Sequence, residues 1–441
     1  MLGMLGISFY ILADTFFVSA GMGKTGVAAL NLAMPVYNFI HGIGLLLAIG
    51  GATKATVFRS RNEKAEADAV FTNTCMLGAA FCLLFVSAGV FFSRPITRLF
   101  GAEGEAFEMA HTYLRVMLLF SPAFIFNDIV VCFVRNDGSP QLSMAAVLTG
   151  SLANVLLDYV FIFPCKMGMF GAILATGLSP CLGLCVCAAH FIGKKSGFSL
   201  VPTPPAWRYM KYCFMLGFPS LVEQLSSAAV IISFNYLVLG LKGNTGVAAY
   251  AVVANISLVV VALFTGLVQG VQPLWSRAHG EGNEADKRRL FSYAVTFSLI
   301  FSVIVYAAVF VFSRQIADIF NRENDALLRS IAVTGLKIYF IAAPFVGMNV
   351  LFCSYFSSTE RALPSQILSL LRGVVFILPA AFAFSALWGI VGVWASFPAA
   401  EFCAFLVGVG MLVFLRRGAK RVGTPLGTEK TVGGKNDRAS E

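Results

Sequence analysis

Apolar runs long enough to cross a membrane recur along the whole chain, and no other feature restricts its folding as strongly. A helix needs roughly 20 such residues to span ~30 Å of hydrocarbon. With 58% hydrophobic residues, 12% charged residues and 42 Phe, the 441-residue chain carries more apolar surface than a soluble core can hide. The runs read as helices, because barrel strands would alternate apolar and polar letters over about 10 residues. Twelve spans are expected, at 1–20, 27–57, 70–92, 107–134, 141–164, 168–193, 211–240, 246–276, 290–312, 327–356, 364–387 and 388–415. Several exceed the minimum, so tilts or kinks are expected, with Pro35, Pro122, Pro219, Pro344 and Pro379 as sites for them.

Orientation follows from the 32 Lys and Arg, which are retained on the cytoplasmic side. Loops after even-numbered spans, with the tail, hold 20 of them, whereas the odd loops and adjoining helix ends hold nine. That split places both termini in the cytoplasm of a multi-pass membrane protein. The net charge of +10 is then mostly topology and contact with anionic lipid, and no nucleic acid need be invoked. Nearly all of the ten Cys fall inside spans and read as small packing residues. His41, His111, His190 and His279 are scattered and show no metal-binding spacing. Residues 416–441, rich in Gly, Lys, Arg and Thr, read as a disordered cytoplasmic tail.

TGVAA occurs at 25–29 and again at 245–249, an offset of 220. The same register pairs Gly50 with Gly270, Arg94 with Arg314 and Phe100 with Phe320, and with two residues of drift pairs Pro122 with Pro344. The chain therefore reads as two six-helix lobes, 1–193 and 211–415, joined by a cytoplasmic linker at 194–210. Each half enters from the same side, so the repeats are parallel and related by an axis along the membrane normal. Two such bundles facing across a central cavity are a common secondary-transporter plan.

Chemistry is expected where the halves differ and where polar groups are costly. An ionisable side chain at mid-membrane costs ~2.5 to 3.5 kcal/mol on insertion scales. The first half places Asp14 in FYILADTFFV and Asp158 in SLANVLLDYVFIF, and the aligned stretches of the second half have no acid. At ~1.5 Å per helical residue, Asp14, Asp158 and Thr176 come out at a similar depth, roughly 9 to 12 Å below the outer surface. Tyr10 and Asn154 each precede an acid by four residues and share its helix face. Together these five make an oxygen-lined ion site. If dry, two close carboxylates can take up a proton from outside and release it inside; if the oxygens converge, they can replace the hydration shell of Na⁺. Glu223, with Gln224 beside it, is a candidate attractor for a cationic substrate, and Asn31 and Met34 join them as candidate cavity residues. Asp128 is read as satisfying itself with Asn127, Arg115 and Lys337 as snorkelling at helix ends, and Lys54 and Arg372 as neutralising acids or carbonyls within the bundle.

With Asp14, RNDGSP at 135–140, NVLLD at 154–158 and GAILAT at 171–176, the chain resembles the multidrug and toxic compound extrusion family over essentially its whole length, most closely the DinF and MepA type of bacterial member. The resemblance implies twelve helices in two lobes and export of organic cations and other amphipathic drugs in exchange for Na⁺ or H⁺. It also implies an ion-coupling site at Asp14, Asn154, Asp158 and Thr176, with Tyr10 nearby. No other cofactor or metal is expected, and a monomer is. Family members usually carry a longer first helix with a proline well upstream of its Asp, whereas only thirteen residues precede Asp14 here, so either the start lies upstream of Met1 or the first helix is shortened. The alternative reading is a lipid-linked oligosaccharide flippase of the same superfamily, which the acidic first lobe disfavours. An enzyme is not expected, for want of a reactive cluster near an interface.

Overall fold

Hydrocarbon offers the backbone no hydrogen-bonding partner, so a spanning segment must satisfy its own N–H and C=O groups. The computed structural model describes residues 2–100, 104–193, 196–321 and 325–422, and its regular structure there is helical throughout. The first lobe holds α1 (Gly3–Gly23), α2 (Thr25–Ser60), α3 (Lys64–Leu99), α4 (Gly104–Leu119 continued by Ser121–Asn136 across a 48° bend), α5 (Pro140–Ile162) and α6 (Gly168–Ile192). The second holds α7 (207–242), α8 (244–280), α9 (Glu284–Val311), α10 (Ala326–Ser358), α11 (362–388) and α12 (390–422). These are the twelve expected spans, with altered ends. The polar joins expected after the first and seventh spans shrink to single residues, because Gly23 and Gly243 turn the chain in the left-handed region without a loop. The last helix runs on to Val422 beyond its expected end at 415, and the rest of the proposed tail lies outside the described residues, as do Lys194 and Lys195 of the linker.

The internal repeat is written in the backbone as well as in the letters. Gly23 and Gly243, 220 positions apart, have φ/ψ of 64°/−154° and 60°/−155°. Positive φ recurs in register at Asn62 and Gly282, at Gly138 and Glu360, and at Gly168 and Gly389. Each lobe has its own apolar core. Phe133, Ile125, Met117 and Leu47 lie at the centre of one, and Trp275, Trp394, Phe264 and Phe356 at the centre of the other. Phe234, at the repeat position of Asp14, is fully buried in the second core.

The segment between the lobes is strapped to α3. Asp68 Oδ1 accepts from Ser199 N–H at 2.9 Å, Thr72 Oγ1 from Val201 N–H at 3.0 Å and Asn73 Oδ1 from Ala206 N–H at 2.9 Å. Glu66 then receives Arg208 at 2.8 Å and the Tyr209 hydroxyl at 3.0 Å. These bonds define a linker end of the bundle. The first turns of α7 pack on the first lobe, where Gly50 of α2 faces the Cys213 backbone and Gly217 faces the Leu46 carbonyl; close approach of main chains requires the missing side chains.

Side-chain bonds between the lobes gather at the same end. Gln272 donates to Thr53 Oγ1 at 2.9 Å and Arg135 to Gln269 Oε1 at 2.7 Å. Glu360, in the turn between α10 and α11, receives Lys54 and Arg61 from the first lobe, the latter at 3.3 Å, and lies 3.4 Å from His279 of its own lobe. Its hydrogen bond with His279 and its pairing with Lys54 push the carboxyl down to about 2. Glu360 holds φ 58° where the first lobe has Gly138, a left-handed conformation that costs an ordinary residue roughly 1–2 kcal/mol. The ion pairs offset that strain.

Two outcomes follow for the fold. Gly50→Ala places a methyl 2.7 Å from Cys213 Cα, whereas the same change at its repeat partner Gly270 meets open space; overpacking costs about 1–3 kcal/mol, so thermal melting in detergent should fall for Gly50→Ala and hold or rise for Gly270→Ala. Because the Glu360 carboxyl is held below its ordinary range, its contribution is complete above about pH 4.5 and is lost as pH falls toward about 2. Spin labels at Glu63 and Asp286 should therefore report a wider linker end for Glu360→Gln at neutral pH, and for the unaltered chain only on acidification below pH about 4.

Candidate functional site

The first-lobe site exists because three helices approach closely around small residues. A Cβ at Gly6 of α1 would meet Leu148 at 3.0 Å and Ser151 Oγ at 3.3 Å on α5, and one at Gly150 of α5 would meet the Ser179 carbonyl of α6 at 3.1 Å. This contact turns Asp14, Asn154, Asp158 and Thr176 inward, where all four are buried. Asn154 Nδ2 points to Thr176 Oγ1 at 3.4 Å, and the Thr176 hydroxyl donates to the Ala172 carbonyl at 3.1 Å. Asp158 lies within electrostatic reach of Asp14.

What distinguishes this cluster is what it lacks. Asp14 Oδ1, Asn154 Oδ1 and both carboxylate oxygens of Asp158 are buried without a hydrogen-bond partner among the described residues. Leaving one such group unpaired costs about 1–3 kcal/mol, more when it is charged. Four acceptor oxygens together present a donor set for a hard cation or for protons, and the residue types fit either. Tyr113 of α4 was not apparent in the sequence; it hydrogen-bonds Thr176 and feels the charges of both Asp14 and Asp158. Its sequence neighbours Thr112 and Arg115 are polar, but no spacing in the letters ties it to the distant acids. Tyr10 is one layer further along α1, its hydroxyl 2.9 Å from that of Tyr37.

The second lobe holds its acids differently. Arg372, in the π-helical turn Leu371–Val375 of α11, donates through Nε at 3.3 Å and Nη2 at 3.1 Å to Glu401 Oε1. Asn349 Nδ2 donates to Glu401 Oε2 at 2.7 Å, so Glu401 is fully engaged. Glu223 is held loosely, 3.9 Å from Arg372 Nη1, with about a third of its side chain exposed. Glu223 and Arg372 line a cavity of about 60 Å³ between the lobes, with Gln269, Gln272, Ser354 and, from α2, Ile49. Of the four residues expected there, Glu223 alone is in its lining: Asn31 is exposed, Met34 packs on the first core, and Gln224 lies beside Gly42 of α2. The expectation that Asp128 is satisfied by Asn127 is also corrected. Asp128 pairs with His41 Nδ1 at 2.8 Å, and Asn127 instead abuts Gly183 of α6. Sequence distance hid this pair, which joins α2 to α4.

The MatE family model matches residues 1–160 and 219–382. The chain is 26% identical over 420 residues to the multidrug export protein MepA of Staphylococcus saprophyticus, covering 95% of this chain and 92% of that one. Among solved structures it resembles a MATE protein in complex with MaL6, with TM-score 0.90, 24% identity and coverage of 96% and 95% of the two chains. It also resembles an outward-facing multidrug resistance MATE transporter of the MOP superfamily, with TM-score 0.88, 25% identity and coverage of 96% and 94%.

Unpaired oxygens imply a stability cost that a neutral isostere removes. Asp158→Asn should raise the melting temperature of the purified protein by a few degrees, as expected for relief of about 1–3 kcal/mol. A fall would mean that the Asp158 carboxylate is bonded.

Proposed function

The chain belongs to the MatE family, and on that premise we propose that it is a multidrug efflux transporter whose first lobe couples drug export to the inward passage of a cation. The observation that carries this reading is the group of unpartnered buried oxygens on Asp14, Asn154 and Asp158 beside Thr176. A site that is costly when empty gains most from the ion that fills it. Ion entry then favours one arrangement of the lobes and drug the other, which requires only that each bind the two states with different affinity. Na⁺ and H⁺ are both compatible with such oxygens. The linker end, rich in Lys and Arg, faces the cytoplasm in this reading, and both termini lie there.

Export of organic cations also requires an acid that drug can reach. Glu401 is saturated by Arg372 and Asn349, so Glu223, loosely held at the cavity wall, takes that role for cationic and amphipathic small molecules. The flippase alternative needs free positive charge in the cavity for pyrophosphate, whereas Arg372 is already committed to Glu401. The transporter acts as a monomer in this reading, each lobe supplying one wall of the path.

Ethidium efflux in inverted vesicles, driven separately by Na⁺ and by pH gradients, tests the proposal. Efflux should follow one gradient, and Asp14→Asn and Asp158→Asn should each reduce it to the level of vesicles lacking the protein while expression holds. Normal efflux by both variants would remove the first lobe from coupling, and no efflux by the unaltered chain under either gradient would turn the search to flippase activity.

A further inference from the structure

His41 and Asp128 form a half-buried acid–base pair that the coupling cluster does not use. His41 Nδ1 lies 2.8 Å from Asp128 Oδ2, with side-chain exposures of 26% and 9%. The carboxylate sits against Gly44 of α2, where a Cβ would come within 3.3 Å of Asp128 Cβ. The pair is not isolated. The Tyr37 ring stacks on His41 with centroids 5.9 Å apart, its hydroxyl is 2.9 Å from that of Tyr10, and it lies within electrostatic reach of both Asp14 and Asp128. Either hydroxyl of the Tyr10–Tyr37 bond can be the donor.

Direction is fixed by the helices. On α1, Tyr10 is one turn nearer the linker end than Asp14; on α2, which runs toward that end, His41 is one turn beyond Tyr37. Each turn advances about 5.4 Å. Asp14, Tyr10, Tyr37 and the His41–Asp128 pair thus descend in order from the coupling cluster toward the linker end. The groups around the pair are Tyr37 on its own helix, Tyr10 on α1, and Cys132 with Arg135 on α4, whose guanidinium turns away to Gln269 of the second lobe; on the α7 side, Gly42 meets Leu221 and Gln224, which do not titrate.

From this juxtaposition we infer that His41 and Asp128 are a second proton-holding station, reached from Asp14 through the Tyr10 and Tyr37 hydroxyls, and that the coupling cation is H⁺. The inference rests on the antiport reading of the first-lobe site. Protonated Asp14 gives its proton toward Tyr10, Tyr10 passes its own to Tyr37, and Tyr37 passes its own to the pair. The net change is one proton moved, two phenols regenerated, Asp14 left as carboxylate and His41 as imidazolium against Asp128. His41 holds the proton next to a fixed counter-charge, so the cluster is emptied before drug leaves. Asp128 and Tyr37 act as positioning and relay residues.

The test uses the full-length protein in proteoliposomes loaded with a pH-sensitive dye. Ethidium transport driven by a pH gradient is compared with ethidium self-exchange, which moves no net proton, for Tyr37→Phe, His41→Gln and Asp128→Asn. Gradient-driven transport and its accompanying proton flux should fall at least about tenfold, equivalent to ~1.4 kcal/mol in barrier, while self-exchange stays within about twofold of the unaltered chain. Tyr37→Phe keeps the stacked ring and decides the matter if His41→Gln fails to fold. Gradient-driven transport at the normal rate, or equal loss of self-exchange, would overturn the station. An unaltered chain driven by Na⁺ alone would overturn it while leaving antiport intact, and one that moves no ethidium would overturn both.

Discussion

A polar group inside hydrocarbon finds its partner within the protein or goes without one. That constraint makes the chain helical, and it explains most of the buried charges. Lys54 reaches Glu360, Arg372 reaches Glu401, and Asp137 collects Arg59, His190 and the Gly197 amide at the linker end. Against this rule the first-lobe cluster stands out, because four buried side-chain oxygens on Asp14, Asn154 and Asp158 face no donor among the described residues. That concentration makes the cluster the candidate site, since unpaired buried oxygens of this kind call for an explanation and the proposed cation supplies one.

The lobes descend from one pattern yet divide the work. Their left-handed residues recur in register, and each has its own core. Where the first lobe has Asp14, the second has Phe234; where the second has Glu401, an arginine and an amide already neutralise it. Negative charge is thus free to exchange partners in one lobe and fixed in the other. Glu223 lies between these extremes, close enough to Arg372 to feel it but too far for a hydrogen bond.

Much of this could be read from the letters. Span length is set by bilayer thickness, so the twelve helices were legible, with ends that differ by up to seven residues. TGVAA betrayed the duplication because the same turn is made twice. Asp14, Asn154, Asp158 and Thr176 could be grouped because topology and helical rise give depth. What escaped depends on contacts between elements distant in sequence. Tyr113 joins the cluster from the bent α4, and His41 meets Asp128 across two helices. Glu360 carries no mark in the letters, since only its φ shows that it stands where the other lobe has glycine. Asn31 and Met34 are not in the lining of the Glu223 cavity, because periodicity names a helix face but not the neighbour it meets.

The strap along α3 has a mechanical meaning. A linker whose amides are held by Asp68, Thr72 and Asn73 contributes no slack, and the first turns of α7 are bound to the first lobe by Cys213 and Gly217. Relative travel of the lobes must then be taken up in α7 itself, beyond its Pro219. From there the helix runs 23 residues to 242, a lever of about 35 Å at 1.5 Å per residue. Each degree of bend moves its far end by about 0.6 Å over that length, so a flexing of a few degrees at one proline is geared up to the width of a water molecule at the opposite mouth.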